Sequence, residues 1–286
     1  MRVGYLGPAG TFSEQAMHQS LELAGLDGEA EIVPLSTVHD VVSAVQEGTV
    51  ERAIAPIENS VEGGVNEVID ALVHDAPDVS IIGEYVLEIN PCLIAREGTE
   101  LSAITTIYSH PQPLAQCASF LRRELPEAKL EASNSTAAAV EQVLGSNLPA
   151  AALASPAAAM HSGAVVLAES VADHDLLSTR FIWLSRQPSE LPAPGQSGKS
   201  AILFSGAGDG APGWLLDCLA EFASRSVNLT RIESRPARLE LGQYIFLIDI
   251  DGRVDTPGPA ADALAGLGEH CQQLRVLGSY PLQELS

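Results

Sequence analysis

Two rhythms of apolar residues alternate along most of the chain. Short apolar runs occupy residues 2–7 (RVGYLG), 30–35 (AEIVPL), 52–57 (RAIAPI), 79–89 (VSIIGEYVLEI) and 104–109 (ITTIYS). Similar runs follow at 129–133, 150–155 and 164–170. Each is bounded by turn residues and predicts a strand. Between them, residues 11–25, 37–48, 64–75, 112–124, 135–145 and 156–162 repeat apolar positions every three or four residues, which predicts helices. Strand–helix alternation at this spacing predicts an α/β fold with parallel sheets and helices on both faces.

The rhythm breaks once. Residues 186–200 (RQPSELPAPGQSGKS) hold three prolines and two glycines without periodicity, and they mark a domain boundary. Beyond it the order changes to strand, helix, two strands, helix, strand. That βαββαβ order predicts a ferredoxin-like unit. The expected organisation is therefore residues 1–186, a linker at 187–198, and a C-terminal domain at 199–286.

Charge narrows the partners. The 286 residues include 15 basic and 37 acidic side chains, a formal charge of −22. Such a chain repels phosphate backbones and anionic bilayers, so neither nucleic acid nor membrane is expected as a partner. The N-terminus runs directly into a strand and has no signal-peptide pattern, and no apolar stretch approaches a membrane span. A cytoplasmic protein is expected. The four cysteines (Cys92, Cys117, Cys218, Cys271) form no C-x-x-C pair and read as reduced structural thiols. The seven histidines lack metal-ligand spacing, and GPAG is not a dinucleotide fingerprint, so no metal and no cofactor are expected.

The chemistry gathers at strand-to-helix junctions. Thr11 with Glu14, and Ser109 with Gln112, have capping-box spacing; Asn134, Ser135 or Thr136 offers a further cap. Helix starts present free N–H groups and a partial positive charge, which suits a small carboxylate. IAPIENSVEGGV (54–65) sets Glu58, Asn59 and Ser60 at a strand end before Gly63-Gly64, and reads as a donor-rich pocket floor. In HPQPLAQC (110–117), Gln112 and Gln116 are four apart and share a helical face. His110 before them is an acid–base candidate, with packing or capping as its commoner roles. DLLSTRFIWLSR (175–186) reads as a strand with a polar entrance at Ser178, Thr179 and Arg180.

Taken in order, GYLGPAGTFSEQA, APIENSVEGGV, IYSHPQPLAQC, SNSTAAAV, TRF and NLTRIESRP resemble the motifs of prephenate dehydratase over nearly the whole chain. The resemblance implies a two-lobed catalytic module similar to type 2 periplasmic binding proteins, with a C-terminal ACT regulatory domain. Lobe one would take residues 1–78 and about 170–186, and lobe two about 79–169. The implied reaction converts prephenate into phenylpyruvate, water and carbon dioxide. By resemblance Thr179 is the catalytic candidate; Asn59 joins it as a side-chain donor to a substrate carboxylate, Ser60 or Glu58 could relay the proton, and Glu58 is a possible acid if buried. Thr11, Ser109, Gln116, Ser135, Thr136 and Arg180 are expected at the substrate, although strand alternation turns Arg180 away if Thr179 faces the cleft. Leu177 stands where the family commonly has asparagine, and Trp214 where it has a smaller residue. Phenylalanine as effector is expected at Gly213, Trp214, Leu215, Asn228, Leu229, Glu233, Ser234, Arg235 and Pro236, between paired domains of a homodimer or homotetramer. Arogenate dehydration and non-catalytic ligand sensing are the competing readings.

Overall fold

The computed structural model describes residues 1–26, 28–61, 63–174, 177–188, 197–206, 211–237 and 243–282. The central part of the expected linker and the last four residues lie outside these. The chain divides into two compact units: Met1–Ala76 with Tyr85–Ile182, and Pro77–Glu84 with Trp183–Ser286. The division falls four residues before the expected boundary at 186, inside a strand.

The chain begins with β1 (Arg2–Leu6), α1 (Phe12–Leu23), β2 (Glu31–Leu35), α2 (Val38–Glu47), β3 (Arg52–Asn59), β4 (Gly63–Gly64), α3 (Asn66–His74) and β5 (Ser80–Glu88), and the division between the units falls within β5. The second lobe has β6 (Cys92–Ala95), β7 (Thr106–Ser109), α4 (Pro111–Gln116), α5 (Ala118–Glu124), β8 (Lys129–Ala132), α6 (Thr136–Gly145), β9 (Ala150–Ala154), α7 (Pro156–Ser162) and β10 (Val165–Ala168). The chain then returns through β11 (Ser178–Ser185). Lobe one is a sheet in the order β2-β1-β3-β11-β5, with β4 on β3; lobe two is β10-β6-β9-β7-β8. The crossing therefore follows β5, near residue 90, and not residue 79 as expected.

The sheets are mixed, which corrects the expectation of purely parallel ones. β1 pairs parallel with β2 and β3, and β7 with β8 and β9, but β6 runs antiparallel to both β9 and β10. Parallel neighbours need a long crossover. β6 enters from the other lobe with no helix before it, so it is free to run against β9. This strand was not anticipated: four fully buried residues between Pro91 and Arg96 carry no readable period. The alternation within it is plain once placed. Cys92 and Ile94 pack toward α6 and α7, while Leu93 and Ala95 pack toward α5.

Helix starts were partly misread. The complete capping box forms at Thr37 and Asp40, opening α2, whose apolar residues Val38, Val41, Val42 and Val45 are buried at helical spacing. Thr11 caps α1 by accepting from the Glu14 amide, but the Glu14 carboxylate accepts from Gly10 instead of returning to Thr11. At α4 the cap is His110, not Ser109. The single helix expected at 112–124 breaks at Cys117 into α4 and α5.

The second unit contains β12 (Gly198–Ser205), α8 (Trp214–Ala223), β13 (Leu229–Pro236), β14 (Tyr244–Asp251), α9 (Pro259–His270) and β15 (Gln273–Pro281). Its sheet order is β13-β14-β12-β15, with antiparallel pairing of β13 to β14, β14 to β12 and β12 to β15. This is the ferredoxin-like arrangement. One face packs Ile202, Phe204, Ile248 and Ile250 against Cys218 and Phe222 of α8 and Ala263 and Leu267 of α9.

Candidate active site

The first unit holds a cavity of about 310 Å³ between its lobes, within the size range of small-molecule sites. Lobe one supplies Thr11, Phe12 and Ser13 from the start of α1, Ser36 from the end of β2, Asn59 from β3, and Thr179 and Phe181 from β11. Lobe two supplies His110, Gln112 and Gln116 around α4, and Asn134, Ser135 and Thr136 at the start of α6. Ligand contacts thus collect at strand ends and helix starts, as expected for open α/β sheets. None of the lining residues is acidic, and none is lysine or arginine.

Thr179 is buried on β11 and accepts a hydrogen bond from Asn59 Nδ2 at 3.0 Å. The Asn59 amide is oriented by Val61, whose N–H donates to Oδ1 at 2.9 Å. Thr179 accepts with its oxygen, so its own proton is available to a group in the cavity. Phe181, two residues on, shares that face.

The same alternation removes three expected residues. Glu58 and Ser60 flank Asn59 and point the other way. Glu58 is paired with Arg180, whose Nε lies 3.1 Å and Nη2 3.0 Å from its carboxylate. The Glu58 side chain is 41% exposed, so it is not the buried acid considered for the reaction. Ser60 Oγ accepts from the Ser178 N–H, tying β3 to the start of β11, and does not reach the cavity. Arg180 likewise stands outside it. Ser109 is a fourth correction: its hydroxyl is fully buried and donates to the Leu153 carbonyl at 2.7 Å. Leu177 is buried, and its carbonyl accepts from Ile89 where the chain leaves lobe one.

Thr11, Ser135, Thr136 and Gln116 do line the cavity. Ser135 caps α6 by accepting from Ala138, leaving the first N–H groups of that ten-residue helix toward the cavity. Gln116 is buried, and its Nε2 has no hydrogen-bond partner. A buried orphan donor is costly unless a ligand meets it. Ser13 and Ser36 were not anticipated; Ser13 lies in the first turn of α1 just after its cap Thr11, and Ser36 lies between the end of β2 and the cap Thr37. Behind α1, Glu14 is buried against Tyr5, whose phenol is pushed well above its usual range by burial and then by the Glu14 carboxylate.

The two lobes touch at Gly10. Ser155 Oγ donates to its carbonyl at 2.8 Å, and Ala158 of α7 packs against its Cα, where φ is 83°. A side chain at residue 10 would meet Ala158 Cα at 3.0 Å, so glycine is required by both conformation and space.

In the second unit, Gly213, Trp214 and Leu215 open α8 at the same end of the sheet as Glu233–Pro236. Asn228 and Leu229 sit at the opposite end of β13, roughly 20 Å away at strand rise. Trp214 is turned into the domain's own core. Its ring lies 6.0 Å from Phe204 and 5.8 Å from Phe246, and Nε1 donates to the His270 carbonyl. Asn228 donates to Asp251, and Glu233 pairs with Arg231.

Fold and site together define a two-lobed α/β protein built around a cleft lined by hydroxyls, amides and helix starts, joined to a ferredoxin-like unit. Residues 3–189 match the family model for prephenate dehydratase. A prephenate dehydratase of Amycolatopsis methanolica is 37% identical over 279 residues, 98% of this chain and 88% of that one. The crystal structure of prephenate dehydratase from Arthrobacter aurescens in complex with L-Phe superposes with a TM-score of 0.86 at 39% identity, covering 98% of this chain and 90% of that one. GqqA, described as a novel type of quorum-quenching acylase, superposes at 0.87 with 29% identity and 99% coverage of both chains. The chain belongs to the prephenate dehydratase family and is a lyase of phenylalanine biosynthesis.

Proposed function

We propose that the cavity binds prephenate through its two carboxylates and that Thr179 donates a hydrogen bond to the departing ring hydroxyl. The observation that carries this is the Asn59–Thr179 pair at 3.0 Å facing a cavity whose far wall holds the unpartnered Gln116 amide. The start of α1 and the start of α6 each offer N–H groups to a carboxylate. As carbon dioxide leaves the ring carbon, the bonding electrons enter the ring and the C–OH bond breaks. The hydroxyl departs as water with a proton that solvent finally restores. Aromatisation drives the step, so the protein supplies orientation and a fixed hydrogen bond. Donation from Asn59 into the Thr179 oxygen polarises the Thr179 O–H and makes it a stronger donor.

Prephenate is favoured over arogenate because no acidic side chain among the described residues lines the cavity to meet arogenate's ammonium. Acyl transfer, suggested by GqqA, is less well supported. Thr179 accepts from an amide and is not activated by a base.

Thr179→Ala is expected to lower kcat by about 100-fold or more, with an unchanged thermal midpoint; Thr179→Ser should retain most activity. Turnover like that of the parent chain in Thr179→Ala would sink the assignment.

We further assign the second unit as an ACT-type domain that binds phenylalanine between two copies. β13 lies at the edge of its sheet. Antiparallel pairing of two β13 strands would bring Asn228 and Leu229 of one copy beside Glu233–Pro236 of the other, which a single copy keeps apart. The relative from Arthrobacter aurescens, crystallised with L-Phe, supports that ligand. A cytoplasmic homodimer or homotetramer follows from this reading; among the described residues no helix is long and apolar enough to cross a membrane.

A further inference from the structure

Gln116 is the last residue of α4, a helix of six residues, and the chain breaks at Cys117 before α5 begins. A side chain at such a junction has little to hold its direction. The nominal cap of α5 is Cys117, which makes no side-chain hydrogen bond to the helix start. Asp173, from the segment returning toward β11, fills that role. Its carboxylate accepts from the Ser119 N–H at 2.8 and 3.0 Å and from the Phe120 N–H at 3.2 Å. Its own backbone N–H donates to the Gln116 carbonyl at 2.8 Å. Asp173 thus grips both sides of the break, the last residue of α4 and the first turn of α5. The same stretch is fixed to the lobe through Val171, whose N–H donates to the Pro91 carbonyl.

We propose that Asp173 is a positioning residue for substrate binding: by clasping the α4–α5 break it aims the Gln116 amide at a carboxylate of prephenate. This rests on the reading of Gln116 as a carboxylate donor. Two facts favour it over a simple helix cap. The backbone N–H of Asp173 bonds Gln116 itself, and Gln116 is a cavity residue whose buried donor has no partner among the described residues. Burial alone would raise the Asp173 carboxyl, but the amides of Ser119 and Phe120, the Ser119 hydroxyl and the Arg122 charge hold it below the usual carboxylate range. It is the charged form that the break is built around.

Steady-state kinetics on the full chain test this with Asp173→Ala, Asp173→Asn, Gln116→Ala and the Asp173→Ala/Gln116→Ala double variant. Asp173→Ala is expected to raise KM for prephenate about tenfold with kcat within about twofold, the pattern of lost ground-state binding to a charged group. Asp173→Asn, a comparable cap, should return KM to within about threefold of the parent value. The double variant should be no worse than Gln116→Ala, because the clasp acts through that side chain. Should Asp173→Ala not fold, Asp173→Gly, a milder change at a cap, carries the same comparison. A KM unmoved in Asp173→Ala while Gln116→Ala raises it overturns the clasp alone. Multiplying effects in the double variant overturn it as well. A KM unmoved in Gln116→Ala overturns the reading of Gln116 and the proposal with it.

Discussion

Asn59 and Thr179 are 120 residues apart along the chain and 3.0 Å apart in the fold. Each was readable as a polar residue at a strand end, but nothing in the sequence joined them into a hydrogen-bonded pair. What was not read was the face each neighbour takes. Glu58 and Asn59 are neighbours in β3 and so face opposite sides of the sheet, and Ser60 lies in the turn that follows. That rule was applied to Arg180, but it applied equally to Glu58, its ion-pair partner. Ser109 failed for another reason: its hydroxyl had a backbone acceptor in a neighbouring strand that no local pattern announces. The cysteines were readable as inert. Burial pushes the Cys117 and Cys271 thiols up to about 12, with neighbouring groups adding to the shift. Since the thiolate is the reactive form, both stay protonated at pH 8. Labelling by iodoacetamide should be slow in the native protein and fast after denaturation; fast native labelling at either position would contradict the burial.

At the scale of elements, periodicity located most helices and strands, because short apolar runs alternating with amphipathic helices leave a strong signal. It missed β6, whose four residues are too few for a period, and the break at Cys117, which depends on a cap from Asp173 more than fifty residues away. The mixed pairing of lobe two was likewise unreadable, since direction depends on where the chain enters the sheet. The Gly10 turn joins the lobes and gives a test. Gly10→Ala forces a β-carbon into the left-handed region against Ala158. We expect a loss of about 1–3 kcal/mol in unfolding free energy by urea titration, together with a raised KM for prephenate. A variant as stable as the parent would mean the turn relaxes without strain.

For the whole molecule, the Pro-rich boundary and the βαββαβ order announced the second unit before any coordinates. The residues proposed for its effector were less legible, because they lie at the two ends of β13. Trp214, expected at the effector, is partly buried and packs against the domain core. Phenylalanine should change prephenate turnover with a cooperative dose response, since occupancy of a pocket shared by two copies shifts both at once. A flat rate across millimolar phenylalanine would exclude that ligand as the regulator. The cleft is a separate matter, and it bears the central claim. Among the described residues its lining has hydroxyls, amides and helix starts, and no acidic side chain. Purified protein incubated in parallel with prephenate and with arogenate, scored for phenylpyruvate and phenylalanine, tests that claim directly. The account predicts phenylpyruvate from prephenate, with kcat/KM at least about 100-fold above that for arogenate. Phenylalanine formed from arogenate with equal or greater efficiency would contradict it.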